Sequence, residues 1–216
     1  MFSPAMPGFW WLSGLIVGFI GSLIAAFGLT ISLILFWYVT PVSALPASAL
    51  GVFLVLASLY SMSRVLGSGV VFKQALAGAI VWASGYMSAI EILGASGVLG
   101  DMPDIMLYIR GGLRSEVEAH LSFIAGSLVP NAVAGLVGSI MWFKSLRELA
   151  ELSQEYGFMM AGMSGLVGAL LVLTGATLLL ISQAGIPIYI FGVAVQAVTW
   201  ALLAGAYIQA LVNELF

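Results

Sequence analysis

The chain has 216 residues, of which 62% are hydrophobic and only 7% charged, with a formal net charge of −3; an ordinary soluble domain carries roughly 25% charged residues. That balance excludes a water-soluble globular domain, and six Lys and Arg in all exclude a basic nucleic-acid surface. The absence of cysteine removes disulfides, thiol catalysis and cysteine-held metal centres.

A hydrocarbon core about 30 Å thick takes roughly 20 apolar residues per helix, and the backbone inside it must satisfy its own hydrogen bonds. The apolar runs here are continuous and do not alternate over about ten residues as barrel strands do. The chain therefore reads as all-α: a polytopic integral membrane bundle forming one transmembrane domain over 1–216, with six spans at about 9–38, 48–63, 70–93, 120–143, 158–182 and 188–211.

The N-terminal "MFSPAMPGFWWLSG" lacks a basic leader region and its apolar run outlasts a signal peptide, so it reads as a retained first span. That span is long for one upright crossing and should tilt, or break near Gly28. Gly14, Gly18 and Gly21 share one of its faces, a helix-packing seam. The second span is short and needs its neighbours. The third carries Lys73 and Glu91, the two ionisable residues within spans; eighteen positions apart, they are separated by about 27 Å of helix and cannot pair. Each sits near a span end, where snorkelling to the interface suffices. The sharper reading of Glu91 is an ion- or proton-binding carboxylate at an outer vestibule, helped by Ser88 and Tyr86.

The outer loop, 94–119, mixes Asp101, Asp104, Glu116 and Glu118 with Arg110 and Arg114. Its "PDIMLYIRGG" starts like a helix and puts Ile105, Met106 and Ile109 on one face, an interfacial helix interrupted at Gly111 and Gly112. In the fourth span, Pro130 frees a carbonyl that Asn131 or a neighbouring helix can satisfy. Pro130-Asn131 is either a kink with an interhelical hydrogen bond or a polar step on a permeation path, with Gln196 and Thr199 as partners. The inner segment 144–157, "FKSLRELAELSQEYG" with its leading Phe143, is amphipathic: Leu146, Leu149, Leu152 and Ser153 on one face, Arg147, Glu148, Glu151 and Glu155 on the other. Arg147 and Glu151 are spaced to pair weakly. The segment prolongs the fourth helix or docks a partner.

One frame occurs twice. "GFIGSLIAAFGLT" at 18–30 and "GLVGALLVLTGAT" at 165–177 match in their glycines and closing Thr, and each precedes a Pro-containing turn and a helix opening with Gly-Val, at Gly51 and Gly192. Spans 1–2 and 5–6 thus look like one hairpin repeated, with a further echo at Gly135 and Gly138. Duplication and coincidence in a Gly-, Leu- and Val-rich chain both explain it. Gly165 and Gly168 line one face of the fifth span, a second packing seam.

"GASG" at 94–97 and "GMSG" at 162–165 resemble the serine motif of rhomboid intramembrane proteases. That family pairs its serine with a histidine on a later span. The single histidine, His120, precedes Ser164 and follows Ser96 by 24 residues, so the reading is no enzyme. One histidine also cannot supply bis-histidine haem ligation or a histidine-rich metal site, and no cofactor is expected. From "FKSLRELAELSQEYGFMMAGMSGLVGALL" through "VTWALLAGAYIQAL", with its Ala161-Gly162 entry and Gly165/Gly168 spacing, the last third is similar to uncharacterised archaeal multi-span membrane proteins. That resemblance implies a helical membrane fold and no activity or site residues.

These features favour a structural or assembly subunit of a larger or homo-oligomeric membrane complex, packed through glycine faces. Its partners would be membrane lipids and other copies or another membrane protein, with no nucleic acid. The alternative is a small ion or solute channel or transporter with Glu91 and Pro130-Asn131 on the path. Counting cations by loop puts Arg64, Lys73, Lys144 and Arg147 on one side against Arg110 and Arg114, which predicts a multi-pass cell-membrane protein with both termini cytoplasmic.

Overall fold

The computed structural model describes residues 6–36, 45–95, 114–182 and 184–215. Among the described residues the regular elements are six α-helices: α1 (Met6–Phe36), α2 (Leu45–Val65), α3 (Gly69–Ala95), α4 (Arg114–Ser153), α5 (Tyr156–Leu179) and α6 (Gly185–Leu215). All six are long and apolar enough to cross a membrane. The interfacial helix expected around Ile105, Met106 and Ile109 lies outside the described residues, with Ser96, Asp101, Asp104, Arg110 and Gln183. So do the side chains of Arg114, Glu116, Glu118 and His120.

Each helix packs antiparallel against the next in three hairpins, α1/α2, α3/α4 and α5/α6; α4 then packs on α5 and α6 on α1, closing a ring whose loosest joint is α2/α3. One end of the bundle, here the base, holds the start of α1, the α2–α3 turn, the α4–α5 turn and the end of α6. The opposite end is the crown.

The helices correct several sequence boundaries. α1 runs unbroken through Gly28: the missing side chain there admits the backbone of Ser48 on α2 and does not interrupt the helix. α4 spans 40 residues with Pro130 inside it, about 60 Å at the usual rise and twice a bilayer core, so the segment from Lys144 to Ser153 continues the fourth helix. It stops where Gln154 takes a positive φ of 60°, and Glu155 falls at the start of α5, so 144–157 is not one helix. The α2–α3 turn uses Gly67 at φ 68°, with the Ser68 amide donating to the Ser63 carbonyl at 3.1 Å, the left-handed glycine stop of a helix end.

The buried face of the α4 extension also differs from the expected one. Ser145, Leu146, Leu149 and Ala150 are buried, whereas Leu152 is 42% exposed. The stripe is set by what lies beneath it: the Ser145 hydroxyl donates to the Val71 carbonyl on α3 at 2.7 Å, and that anchor rotates Leu152 off the contact. Arg147 and Glu151 do pair, at 2.8 Å, with both side chains 58% exposed.

The main apolar core sits at the base and draws on every helix, including Leu15, Leu59, Met62, Val71, Leu149, Phe158, Leu203 and Tyr207. A small second cluster, Ala132, Val172 and Ala176, ties α4 to α5 near the crown. The outward faces carry Phe27, Phe53, Ile80, Val167 and Phe191, each at least half exposed. An apolar surface of that extent suits hydrocarbon and not water. Hydroxyls on those faces close onto their own helices, as Thr30 does on the Ala26 carbonyl and Thr177 on the Leu173 carbonyl, both at 2.8 Å, so they expose no unpaired donor.

Candidate binding cavity

The two helices of each hairpin meet through glycine. A Cβ on Gly21 would lie 2.9 Å from the Gly51 carbonyl oxygen, and one on Gly51 would lie 2.7 Å from that of Gly21. The same reciprocal contact joins Gly78 to Gly138, at 2.7 and 2.8 Å, and Gly168 to Gly192, at 3.2 and 3.0 Å. Seven residues beyond the first glycine of each pair stands another, Gly28, Gly85 and Gly175, each against the backbone or Cβ of the partner helix. Seven beyond the second stands a hydroxyl: Ser58, Ser145 and Thr199.

The seam residues named from sequence are thus filled by the chain itself. Gly14 faces Ser61 and Met62, Gly18 faces Ser58 and Tyr207, Gly165 faces Thr199, and Gly138 faces Gly78. Gly135 has only the Trp82 indole near it, 3.8 Å from its Cβ position.

Tyr207 fills the joint between α6, α1 and α2. It is fully buried, packs edge-on against Phe158 at 5.1 Å and shares a 3.2 Å hydrogen bond with the Ser58 hydroxyl. The corresponding joint between α3/α4 and α5/α6 holds no such plug. It contains a partly enclosed cavity of about 80 Å³. Glycines 78, 135, 138, 162 and 165 form part of its wall, Trp82, Trp142 and Trp200 bring aromatic rings, and Ser139, Gln196 and Thr199 bring the polar atoms. Trp142 and Trp200 meet edge to face, centroids 5.5 Å apart at 71°. Thr199 is engaged: its Oγ1 lies 3.0 Å from the Val195 carbonyl and 3.0 Å from the Ser164 hydroxyl. The Gln196 Cγ leans on Gly168, and its amide has no hydrogen-bond partner among the described residues.

The polar residues expected to line a path are dispersed. Glu91 and Lys73 are exposed; the Lys73 chain runs back toward Gly69, its Cε 3.8 Å from that Cβ position, as a snorkelling lysine does. Ser88 donates to the Ser84 carbonyl at 3.0 Å. Asn131 backs onto Gly85, and its Oδ1 is buried without a partner among the described residues. Neither Glu91 nor Asn131 lines the cavity that holds Gln196. Ser164, the serine of one rhomboid-like motif, is bonded to Thr199.

Sequence reasoning named Gln196, Thr199 and one side of the α3/α4 seam, Gly138, but missed the tryptophans and the facing Gly78. The available signal was spacing: Gly78 and Gly85 stand seven apart, as do Gly21 and Gly28, and Gly168 and Gly175. No family model, no curated protein and no solved structure matches the chain.

Proposed function

We propose that this chain is a membrane-embedded solute-binding or transport protein built from three related hairpins, its site the open joint between the second and third. The observation that carries the reading is the cavity, where Ser139, Gln196 and Thr199 bring polar atoms amid apolar helices and the Gln196 amide has no hydrogen-bond partner among the described residues. A polar group at mid-span without a partner costs free energy unless water or a ligand supplies one. Such groups in membrane helices mark solute pathways, and sites in transport folds lie between structural repeats.

Support for repetition extends from α1/α2 and α5/α6 to α3/α4: three reciprocal glycine pairs, a glycine seven on, and a hydroxyl seven beyond the second glycine. The glycine faces at Gly14, Gly18, Gly21, Gly165 and Gly168, expected as seams for a partner, are taken up by the chain's own contacts. A path through Glu91 and Asn131 would need them beside Gln196, and they lie elsewhere. The charge count favours a cell-membrane protein with the base in the cytoplasm, since Arg64, Lys73, Lys144 and Arg147 belong to that half. No catalytic role is proposed for Ser164.

Because the chain lacks cysteine, Ser139→Cys places a single thiol in the cavity. Thiolate chemistry requires water, so in proteoliposomes a small hydrophilic methanethiosulfonate should label Ser139→Cys, while Ser84→Cys, on an exposed outer helix face, should resist. Equal resistance at both positions would refute a water-accessible path.

A further inference from the structure

We infer that the cavity takes a neutral solute of about four heavy atoms that both donates and accepts hydrogen bonds, as a primary amide or a urea does; this deepens the binding reading above and rests on it. Charge and size set the outer limits. No Asp, Glu, Lys, Arg or His lines the cavity, so an ion entering it sheds its hydration and meets no counter-charge. The volume of about 80 Å³ is about half the roughly 150 Å³ of an engineered apolar cavity that holds benzene, and by liquid volume it matches about two or three waters. A ring is too large, and a body of about four heavy atoms fits.

Hydrogen-bonding capacity narrows the class further. Hydroxyls elsewhere on these helices are engaged: Ser22, Thr174 and Thr177 donate to carbonyls of their own helices, and Ser145 donates to the Val71 carbonyl. Ser139 on α4 is the exception among the described Ser and Thr side chains, with no hydrogen-bond partner among the described residues, and the Gln196 amide on α6 shares that state. Each of the two offers a donor and an acceptor, and they stand on different helices of the joint. A solute with both functions satisfies both groups. An acceptor-only solute of the same size leaves the Gln196 amide oxygen bare, and a hydrocarbon leaves every polar atom bare, which carries the full desolvation cost. Water has the same capacity but gains little from the Trp82, Trp142 and Trp200 rings in the wall, against which a methyl or amide face packs.

The test uses the full chain in lipid nanodiscs at neutral pH and methyl-bearing probes matched in heavy-atom count: acetamide, acetone, acetate and acetamidinium, with benzamide as the oversized amide. Saturation-transfer difference NMR, read against empty nanodiscs, should show saturable acetamide binding and acetone binding at least fivefold weaker. Acetate, acetamidinium and benzamide should give no saturable signal. Gln196→Leu and, separately, Ser139→Ala should bring acetamide down toward the level of acetone and leave acetone unchanged, with unaltered helix content confirming the fold. Equal affinity for acetamide and acetone would overturn the two-sided hydrogen-bond match, saturable benzamide the size limit, and a saturable ion the exclusion of charge, each leaving the cavity reading standing. Acetamide that binds both variants as well as the parent chain would overturn the assignment of these two groups. No saturable probe at all, in a chain whose Ser139→Cys still reacts, would overturn the solute class and leave water as the occupant. Failure of Ser139→Cys to react would instead strike the path itself.

Discussion

The base and the crown of this bundle are held by different means. At the base, large side chains from all six helices interlock: Tyr207 and Phe158 meet Leu15, Leu59 and Met62, and the α4 extension lays Leu146 and Leu149 into the same cluster. Toward the crown, contact is mostly within hairpins, backbone to backbone through Gly51 on Gly21 and Ala25, and Gly175 on Tyr189, with one small cluster joining α4 to α5. Side-chain interlock couples hairpins to each other, whereas glycine seams couple a hairpin to itself. The difference teaches that the hairpins should move, if they move, as rigid pairs pivoting on the base. The cavity, at the joint of the second and third hairpins, borders the base cluster and shares Leu146, Ala161 and Leu203 with it, so it lies close to that pivot.

The largest test of this contrast is Tyr207→Ala. Removing a fully buried aromatic ring from the base should cost about 3 kcal/mol, the low end for such truncations because lipid recovers part of the transfer term. It should be read as a loss in unfolding free energy in mixed micelles, with all three hairpins loosened together. If amide exchange rises only in α6, the base does not couple the hairpins. Next comes Gly51→Ala, whose Cβ would stand 2.5 Å from the Ala25 amide nitrogen. With backbone on the other side, nothing flexible can yield, and about 2 kcal/mol is expected. Here faster exchange should stay within α1 and α2; spread to α4 and α5 would break the distinction between the two kinds of contact.

How much of this was legible in the sequence follows from the same contrast. Continuous apolar runs announced the six helices, and the seams at Gly18, Gly21, Gly165 and Gly168 were visible because their hairpins are short and their frames align. Half of the α3/α4 seam was hidden: Gly138 stood out as an echo of the frame, but its partner Gly78 lies sixty positions away, and the intervening residues of the frame are Trp82 and Trp142 where the first hairpin has Ala25 and Val55. Those tryptophans differ from the small and branched residues of the first hairpin and also build the cavity wall. Tyr207 and Trp200 were equally silent, since a tyrosine or tryptophan in a membrane helix reads as an interface anchor until its neighbours are known. Charged residues drew attention because they are rare, yet Glu91 and Lys73 sit on the surface and the site is made of uncharged groups.

A smaller effect separates the two clusters. Val172, 9% exposed in the crown cluster, should cost about 1 kcal/mol when truncated to Ala, because a partly lipid-facing site collapses onto tails and leaves little cavity. A cost matching Tyr207→Ala would mean that the crown is as firmly locked as the base, and the pivot would have to be abandoned.

The smallest expected change lies on the base itself and defines what does not hold it. Arg147 and Glu151 form the ion pair of the α4 extension, but both side chains are 58% exposed, so solvent screens their attraction and ordering two long chains offsets much of the rest. Arg147→Ala should therefore shift stability by about 0.3 kcal/mol or less, with the shift shrinking further in high salt as the Debye length contracts. The buried face a few ångströms away, Leu146 and Leu149, does the holding. A large, salt-sensitive loss on Arg147→Ala would assign that work to charge and would predict that the base loosens wherever ionic strength rises.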